Sequence, residues 1–124
     1  MISKYVAMNI EELRDYCLKK KGTSEGMPFG DDTLVFKVME KMFALTNLVG
    51  ELRINLKCDP EKAINLREQF PAVLPGYHMN KQQWNTVVMD GSVSNTLIAE
   101  WIDHSYDLVV EKLTKIKQKE LAEL

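Results

Sequence analysis

Residues 33–57, TLVFKVMEKMFALTNLVGELRINLK, decide the fold. Thr33 to Met39 alternates, with Leu34, Phe36 and Val38 on one face and Thr33, Val35, Lys37 and Met39 on the other. Met42 to Leu48 reads as a second strand, and Glu40-Lys41 lies between the two as a short turn. Gly50 breaks the chain. After it, Glu51 to Lys57 alternates most cleanly, with Leu52, Ile54 and Leu56 facing inward and Arg53, Asn55 and Lys57 facing water. One-sided alternation of this kind suits an antiparallel sheet with one wet face. The short connections make successive strands antiparallel neighbours.

Toward the N-terminus, Asn9 and Glu12 stand at capping-box spacing, and Met8 and Leu13 at staple positions. Ile10, Leu13 and Cys17 share a helical face, flanked by Tyr16. Lys19, Lys20 and Lys21 load the last turn, where the helix dipole favours cations, and Gly22 stops it. Glu25 to Phe29 reads as an extra edge strand, the one place where Pro28 is tolerated.

Toward the C-terminus, Asp59-Pro60 starts a helix striped by Ala63, Leu66 and Phe70, with Ile64 beside the stripe. Pro71 and Pro75-Gly76 end it. Gln83 to Met89 is a fifth strand closed by Asp90-Gly91. Ser94 caps a last helical region in which Leu97, Ile98, Trp101, Ile102, Ser105, Leu108, Val109, Leu113 and Ile116 hold phase. That phase permits one long helix, or two if Asp103-His104-Ser105 re-caps the chain. The expected fold is α+β: a twisted antiparallel sheet of about five strands with helices on one face, in the order α-β-β-β-β-α-β-α(α). Leu34, Phe36, Leu52, Ile54, Leu56, Trp101 and Leu108 form its expected core.

The chain has 124 residues, 45% of them hydrophobic and 27% charged, which excludes disordered and collagen-like classes. The whole chain, 1–124, reads as one domain, with 118–124 as a frayed tail. Sixteen Lys and Arg against eighteen Asp and Glu give a formal charge of -2, which argues against a strongly basic nucleic-acid binder. Near the N-terminus there is no secretory apolar region, and no stretch approaches a membrane span. Cys17 and Cys58 stand outside any CxxC or Cys/His cluster, so they read as free thiols of a cytoplasmic protein.

Several stretches carry a family resemblance. They are Pro28-Phe29-Gly30, Val35-Phe36-Lys37-Val38, Lys41-Met42-Phe43-Ala44 and Asn55-Leu56-Lys57-Cys58-Asp59-Pro60. Pro75-Gly76-Tyr77-His78-Met79-Asn80-Lys81, Trp84-Asn85-Thr86-Val87 and Asp103-His104-Ser105-Tyr106-Asp107-Leu108-Val109 continue the series. Taken in order across about 90 residues, the sequence resembles the YjbR/MmcQ family of small bacterial proteins. One departure stands in the turn before Lys41, where the family often has glycine and this chain has Met39-Glu40. The resemblance implies a double-wing fold like that of bacterial frataxin homologues. It also implies DNA binding, an expectation that stems from fold likeness, and fold does not fix function.

No GxSxG, P-loop or GxGxxG is present, so no enzyme activity is expected. Asp103-His104-Ser105 are helix neighbours that point different ways and cannot form a triad. Asp31-Asp32 reads as a solvated turn. Glu11, Glu12 and Asp15 could hold iron, but a solvated helix face is the commoner reading; no metal or other cofactor is expected. Lys37, Lys41 and Arg53 could meet phosphates, yet residues 1–62 hold as many acids as bases. The loop from Pro75 to Trp84 groups Tyr77, His78, Asn80, Lys81 and Trp84, and loops on a rigid scaffold often carry function. Ser105 and Tyr106 of the last helix are placed near it. These residues form the candidate binding surface, with the loop expected to matter more than the lysine clusters. The expected partner is DNA; the alternative is another protein or a small ligand. No membrane is involved, and a monomer or weak homodimer is expected.

Since neither the cysteine nor the histidine spacing supports a metal site, chelator and reductant should leave the thermal unfolding midpoint unchanged; a large drop on chelation, read by circular dichroism, would contradict this.

Overall fold

The computed structural model describes residues 5–76 and 79–124. Helix α1 (Ile10–Leu18) starts at the expected capping box: the Glu12 amide donates to Asn9 Oδ1 at 2.8 Å, and the Asn9 amide donates to Glu12 Oε1 at 3.1 Å. The helix ends at Leu18, so Lys19 is its C-cap and Lys20 and Lys21 lie beyond the last turn. Gly22 then adopts φ +72°, and a Cβ there would sit 2.5 Å from Leu121 Cδ1. The left-handed backbone favours glycine, and a Cβ there would also push the Leu121 side chain aside.

Six strands follow, β1 (Thr23–Gly26), β2 (Thr33–Val38), β3 (Lys41–Asn47), β4 (Arg53–Lys57), β5 (Val73–Pro75) and β6 (Trp84–Val88). They pair antiparallel in the spatial order β1-β2-β3-β4-β6-β5. The sequence reading differs in three ways. The edge strand is Thr23–Gly26 rather than Glu25 to Phe29, which leaves Pro28 in a loop. The short β5 was not anticipated, because three residues between two prolines show no measurable period. The β2–β3 turn is Met39-Glu40, one residue earlier than read, with φ of 47° and 72°. Two consecutive positive φ values match the twist of a tight hairpin, even without glycine.

A bulge interrupts the β2–β3 register: Ala44 opposes Phe36 and Met42 opposes Lys37, which leaves Phe43 unpaired. Phe43 and Ala44 are consequently both buried on the helix-bearing face. Continuing the β3–β4 register one step past Ala44 and Leu56 would set Phe43 against Lys57. There Ser105 intervenes. Its hydroxyl donates to the Phe43 carbonyl at 2.6 Å and accepts the Lys57 N–H at 2.8 Å.

Helix α2 (Pro60–Gln69) is capped by Asp59, and the Asp59 N–H donates to His104 Nε2 at 3.2 Å. Ala63 and Leu66 point inward, Ile64 is exposed, and Phe70 meets Trp101 edge to face at 5.2 Å. Helix α3 (Asn95–Glu111) runs unbroken through Asp103-His104-Ser105, so one helix occupies that stretch. The break falls later, where Thr114 caps a separate helix, α4 (Lys115–Ala122). Residues 118–122 are thus helical rather than frayed, and Leu121 is buried against the Gly22 turn. The new axis of α4 also turns Ile116 out to 72% exposure, although its phase in the sequence marks it as core.

All four helices contribute to one apolar cluster on the same side of the sheet. Within it Leu34, Phe36, Ile54, Leu56 and Trp101 are buried and Leu52 is half-buried at its margin, while Leu108, expected in the core, is half-buried and Val109 takes the core position on that turn. No described helix is long and apolar enough to cross a membrane.

Two measurements follow from this packing. Ser105→Ala strands a buried carbonyl and a strand N–H, and should cost about 2 kcal/mol in urea unfolding. His104 has its pKa lowered, first by burial and then by repulsion from Lys62. Its neutral form is therefore favoured in the folded state, and protonation also removes the acceptor for the Asp59 N–H. The sign follows: stability is full above the ordinary imidazole pKa of about 6.5 and declines as pH falls below it. Urea unfolding across that range should show a smaller pH dependence for His104→Gln than for the unaltered chain.

Candidate functional site

The sheet face opposite the helices was expected to be wet. Instead Val35, Leu45 and Trp84 form a second buried cluster there, with Met42 and Met79 packed against it. The register explains this placement. Val35 opposes Leu45, Leu45 opposes Asn55, Asn55 opposes Thr86 and Thr86 opposes Leu74, so one row of side chains crosses β2, β3, β4, β6 and β5 on the open face. Rows to either side set Thr33 against Asn47 at one end, and Lys37 against Met42 and Lys57 against Trp84 at the other.

This face is concave and holds a groove of about 690 Å³. Its apolar lining comes from Met42, Leu45, Leu74, Met79 and Trp84, with Phe29 standing 64% exposed at its edge. Thr33, Asn55, Thr86, Asn80 and Arg53 supply the polar lining. Thr86 donates its hydroxyl to Asn55 Oδ1 at 2.5 Å. Arg53 Nη2 lies 3.4 Å from Glu51 Oε1, and both side chains are about half exposed. An exposed pair this long contributes little.

The loop before β6 is built by short-range bonds. Gly76 N–H donates to the Trp84 carbonyl at 2.9 Å, and the strands are so close that a Cβ on Gly76 would meet Trp84 at 3.0 Å. The Asn80 carbonyl accepts the N–H groups of Gln83 and Trp84, and its Oδ1 accepts that of Gln82. Arg67 of α2 donates to the Lys81 carbonyl at 3.2 Å and ties the loop to the helix layer.

The candidate residues read from the sequence thus separate. Asn80, Trp84 and Arg53 line the groove. Lys37 shares the open face and Lys81 lies on the exposed loop, while Lys41 is exposed at the start of β3. Tyr77 and His78 lie outside the described residues. Ser105 and Tyr106 do not share the loop's open face: both sit on the helix side of the sheet. Ser105 is 0% exposed, and the Tyr106 hydroxyl donates to the Lys21 carbonyl while its ring meets Phe43 edge to face at 5.5 Å. Helix phase alone could not show on which side of the sheet α3 lies.

The strands bring cations rather than acids to the open face, and Glu51, just before β4, is the acid beside Arg53. Among the described strand residues the only acid is Glu25. Its register partner Phe36 belongs to the helix side, and Arg14 of α1 holds its carboxyl below the usual carboxylate range. Lys37, Arg53 and Lys57 therefore share the open face with no strand acid. The N-terminal lysines are less available, since Lys20 pairs with Asp103 and lies over the rings of Tyr16 and Tyr106.

Burial pushes the Cys17 thiol up to about 12 and raises Cys58 as well, so neither supplies a thiolate. Among the described residues no three His, Cys, Asp or Glu side chains converge on a metal position. Leu45, Asn55, Leu74, Thr86 and Met79 were missed as site residues by sequence reading. The available signal was the near-continuous apolar run of β2 and β3, which marks strands covered on both faces.

Comparison with known proteins agrees with this architecture. The uncharacterized protein YbdF of Escherichia coli O157:H7 is 42% identical over 93 residues, spanning 74% of this chain and 76% of its own. The uncharacterized protein YjbR of Escherichia coli K12 is 36% identical over 118 residues, spanning 94% of this chain and all of its own. A crystal structure of a Deinococcus radiodurans protein with a DUF419 domain superposes with TM-score 0.88 at 41% identity, over 94% of this chain and 89% of that one. The YjbR family model matches residues 18–108, and on that match and these likenesses the chain belongs to the YjbR family.

Proposed function

We propose that the chain is a non-catalytic binding module whose open sheet face takes a small molecule. The observation that carries this reading is the groove of about 690 Å³, apolar over most of its wall, with a few convergent polar groups at Asn55, Thr86 and Arg53. Small-molecule sites have this size and this mixture. The groove walls stand on strands, and the loop that completes them is bonded to β6 and to α2. Such a wall needs little reordering on binding, which lowers the cost of association.

Nucleic-acid binding is the second reading, favoured by the clustering of Lys37, Arg53 and Lys57 on one face. Against it stands Trp84, which is 8% exposed and offers no free ring face for a base to stack on. Three phosphate contacts alone would also give only a shallow salt dependence, with a log–log slope of about −2 to −3.

A nitrogen–proton correlation titration with a library of apolar and amphipathic fragments decides between the readings. Binding fragments should move the Trp84 indole, the Asn55 side-chain amide and the Leu45 and Thr86 amides together. Leu74→Trp, which fills the groove, should weaken them at least about tenfold without lowering the melting temperature. Duplex and single-stranded DNA should give no electrophoretic shift near physiological salt. Fragment shifts confined to other surfaces, or a DNA shift abolished by Lys37→Gln and Lys57→Gln, would overturn the proposal.

A further inference from the structure

We infer that the occupant of the open-face groove is an organic carboxylate with an apolar body, its charged group held by Arg53 and Asn55. This rests on the small-molecule reading above and adds the chemistry and direction of the ligand.

The register lays out the groove end to end. Thr33, Asn47 and Arg53 stand at one end, Leu45, Asn55 and Thr86 in the middle, and Met42 and Trp84 at the other. The groove lining itself is thus polar, with Arg53 its one cation, at the first end and apolar at the other, where Lys37 and Lys57 stand beside Met42 and Trp84 outside the lining. An amphipathic molecule matches such a gradient, whereas a uniformly polar one would leave Met42, Leu45 and Trp84 against its polar groups.

Each polar side chain at that end can be accounted for. Asn47 is used internally: its amide nitrogen donates to the carbonyls of Val49 and Glu51, and its Oδ1 accepts the Arg53 N–H at 2.7 Å. Asn55 Oδ1 accepts from Thr86, which leaves the Asn55 amide donors unused among the described residues. Arg53 and Asn55 are two apart on one strand, so they share a face about 7 Å apart along β4. The 3.4 Å separation of Arg53 from Glu51 exceeds the 2.7–2.9 Å or so of a charge-assisted hydrogen bond, so Glu51 does not saturate the guanidinium. What remains facing the groove is a set of donors: a planar fork and an amide. A carboxylate is the anion whose two oxygens match that fork. An ammonium ligand would meet the Arg53 guanidinium in the groove, and the acid beside it, Glu51, is absent from the groove lining.

The test uses three probes with the same ten-carbon chain, each below its micelle concentration: decanoate, decanol and decyltrimethylammonium. Calorimetry and the Trp84 indole shift report binding. Decanoate should bind about tenfold tighter than decanol, and decyltrimethylammonium should bind weakest. Arg53→Gln should remove the advantage of decanoate over decanol and leave decanol unchanged, Arg53→Lys should restore part of it, and Lys57→Gln should leave the ratio intact. Equal affinity for decanoate and decanol, or equal losses from Arg53→Gln and Lys57→Gln, overturns the inference. If decanoate does not bind while fragments still occupy the groove, the carboxylate assignment falls alone. If neither decanoate nor any fragment occupies the groove, the small-molecule reading falls with it.

Discussion

The hydroxyl of Ser105 sits at the point where the β3–β4 ladder stops, between the Phe43 carbonyl and the Lys57 N–H. A serine on a helix has taken the place of a strand-to-strand hydrogen bond. The need arises where β3–β4 pairing ends at Ala44 and Leu56, because the Phe43 carbonyl and the Lys57 N–H would otherwise lack partners. The helix supplies the answer, and in doing so fixes its own position over the sheet. With Ser105 pinned, Trp101 and Ile98 lie one and two turns earlier over the core, His104 reaches the cap of α2, and Tyr106 covers Phe43. One hydroxyl with its two bonds thus sets the depth and phase of the helix layer.

Committing the helices to one side leaves the other side of a six-stranded sheet to be managed without them. The chain does so with side chains rather than with secondary structure. Trp84 and Met79 close over Val35 and Leu45, and the twist of the sheet turns what remains into a groove. The same row carries Asn55 and Thr86, which satisfy each other in part and leave amide donors over an apolar floor. Polar groups so placed are costly unless paired, so they tend to mark where a ligand is met.

Charge is distributed by the same division. The net charge of -2 hides a local asymmetry, because the one strand acid faces the helix side and is neutralised by Arg14. Lys20, which looks like part of a basic cluster in the sequence, is spent on Asp103 and two tyrosine rings. Lys37 is distant in sequence from Arg53 and Lys57 of β4, and strand pairing alone brings it to the face they share. A count of charges along the chain therefore misplaces both the cationic surface and the structural lysine.

What the amino-acid order determines by itself is local. The Asn9–Glu12 capping box, the Asp59-Pro60 start, the Ser94 cap and the alternation of Leu52, Ile54 and Leu56 depend on residues within a few positions of one another, and the α+β class follows from their order. The groove was not legible in this way. Val35 and Lys37 occupy equivalent positions in the alternation of β2, yet one is fully buried and the other is not, because Leu45 and Trp84 reach only the first. Ser105 reads as one more helical position until the end of the β3–β4 ladder gives it two partners. Likewise α4 is a charged segment with little apolar face, and it is held by Leu121 against Gly22, a hundred residues away. In each case the deciding partner is distant in sequence. Caps and periodicity report energies fixed within a turn or a strand, whereas burial on a second face depends on which strands meet and in what register, and tertiary packing alone decides that.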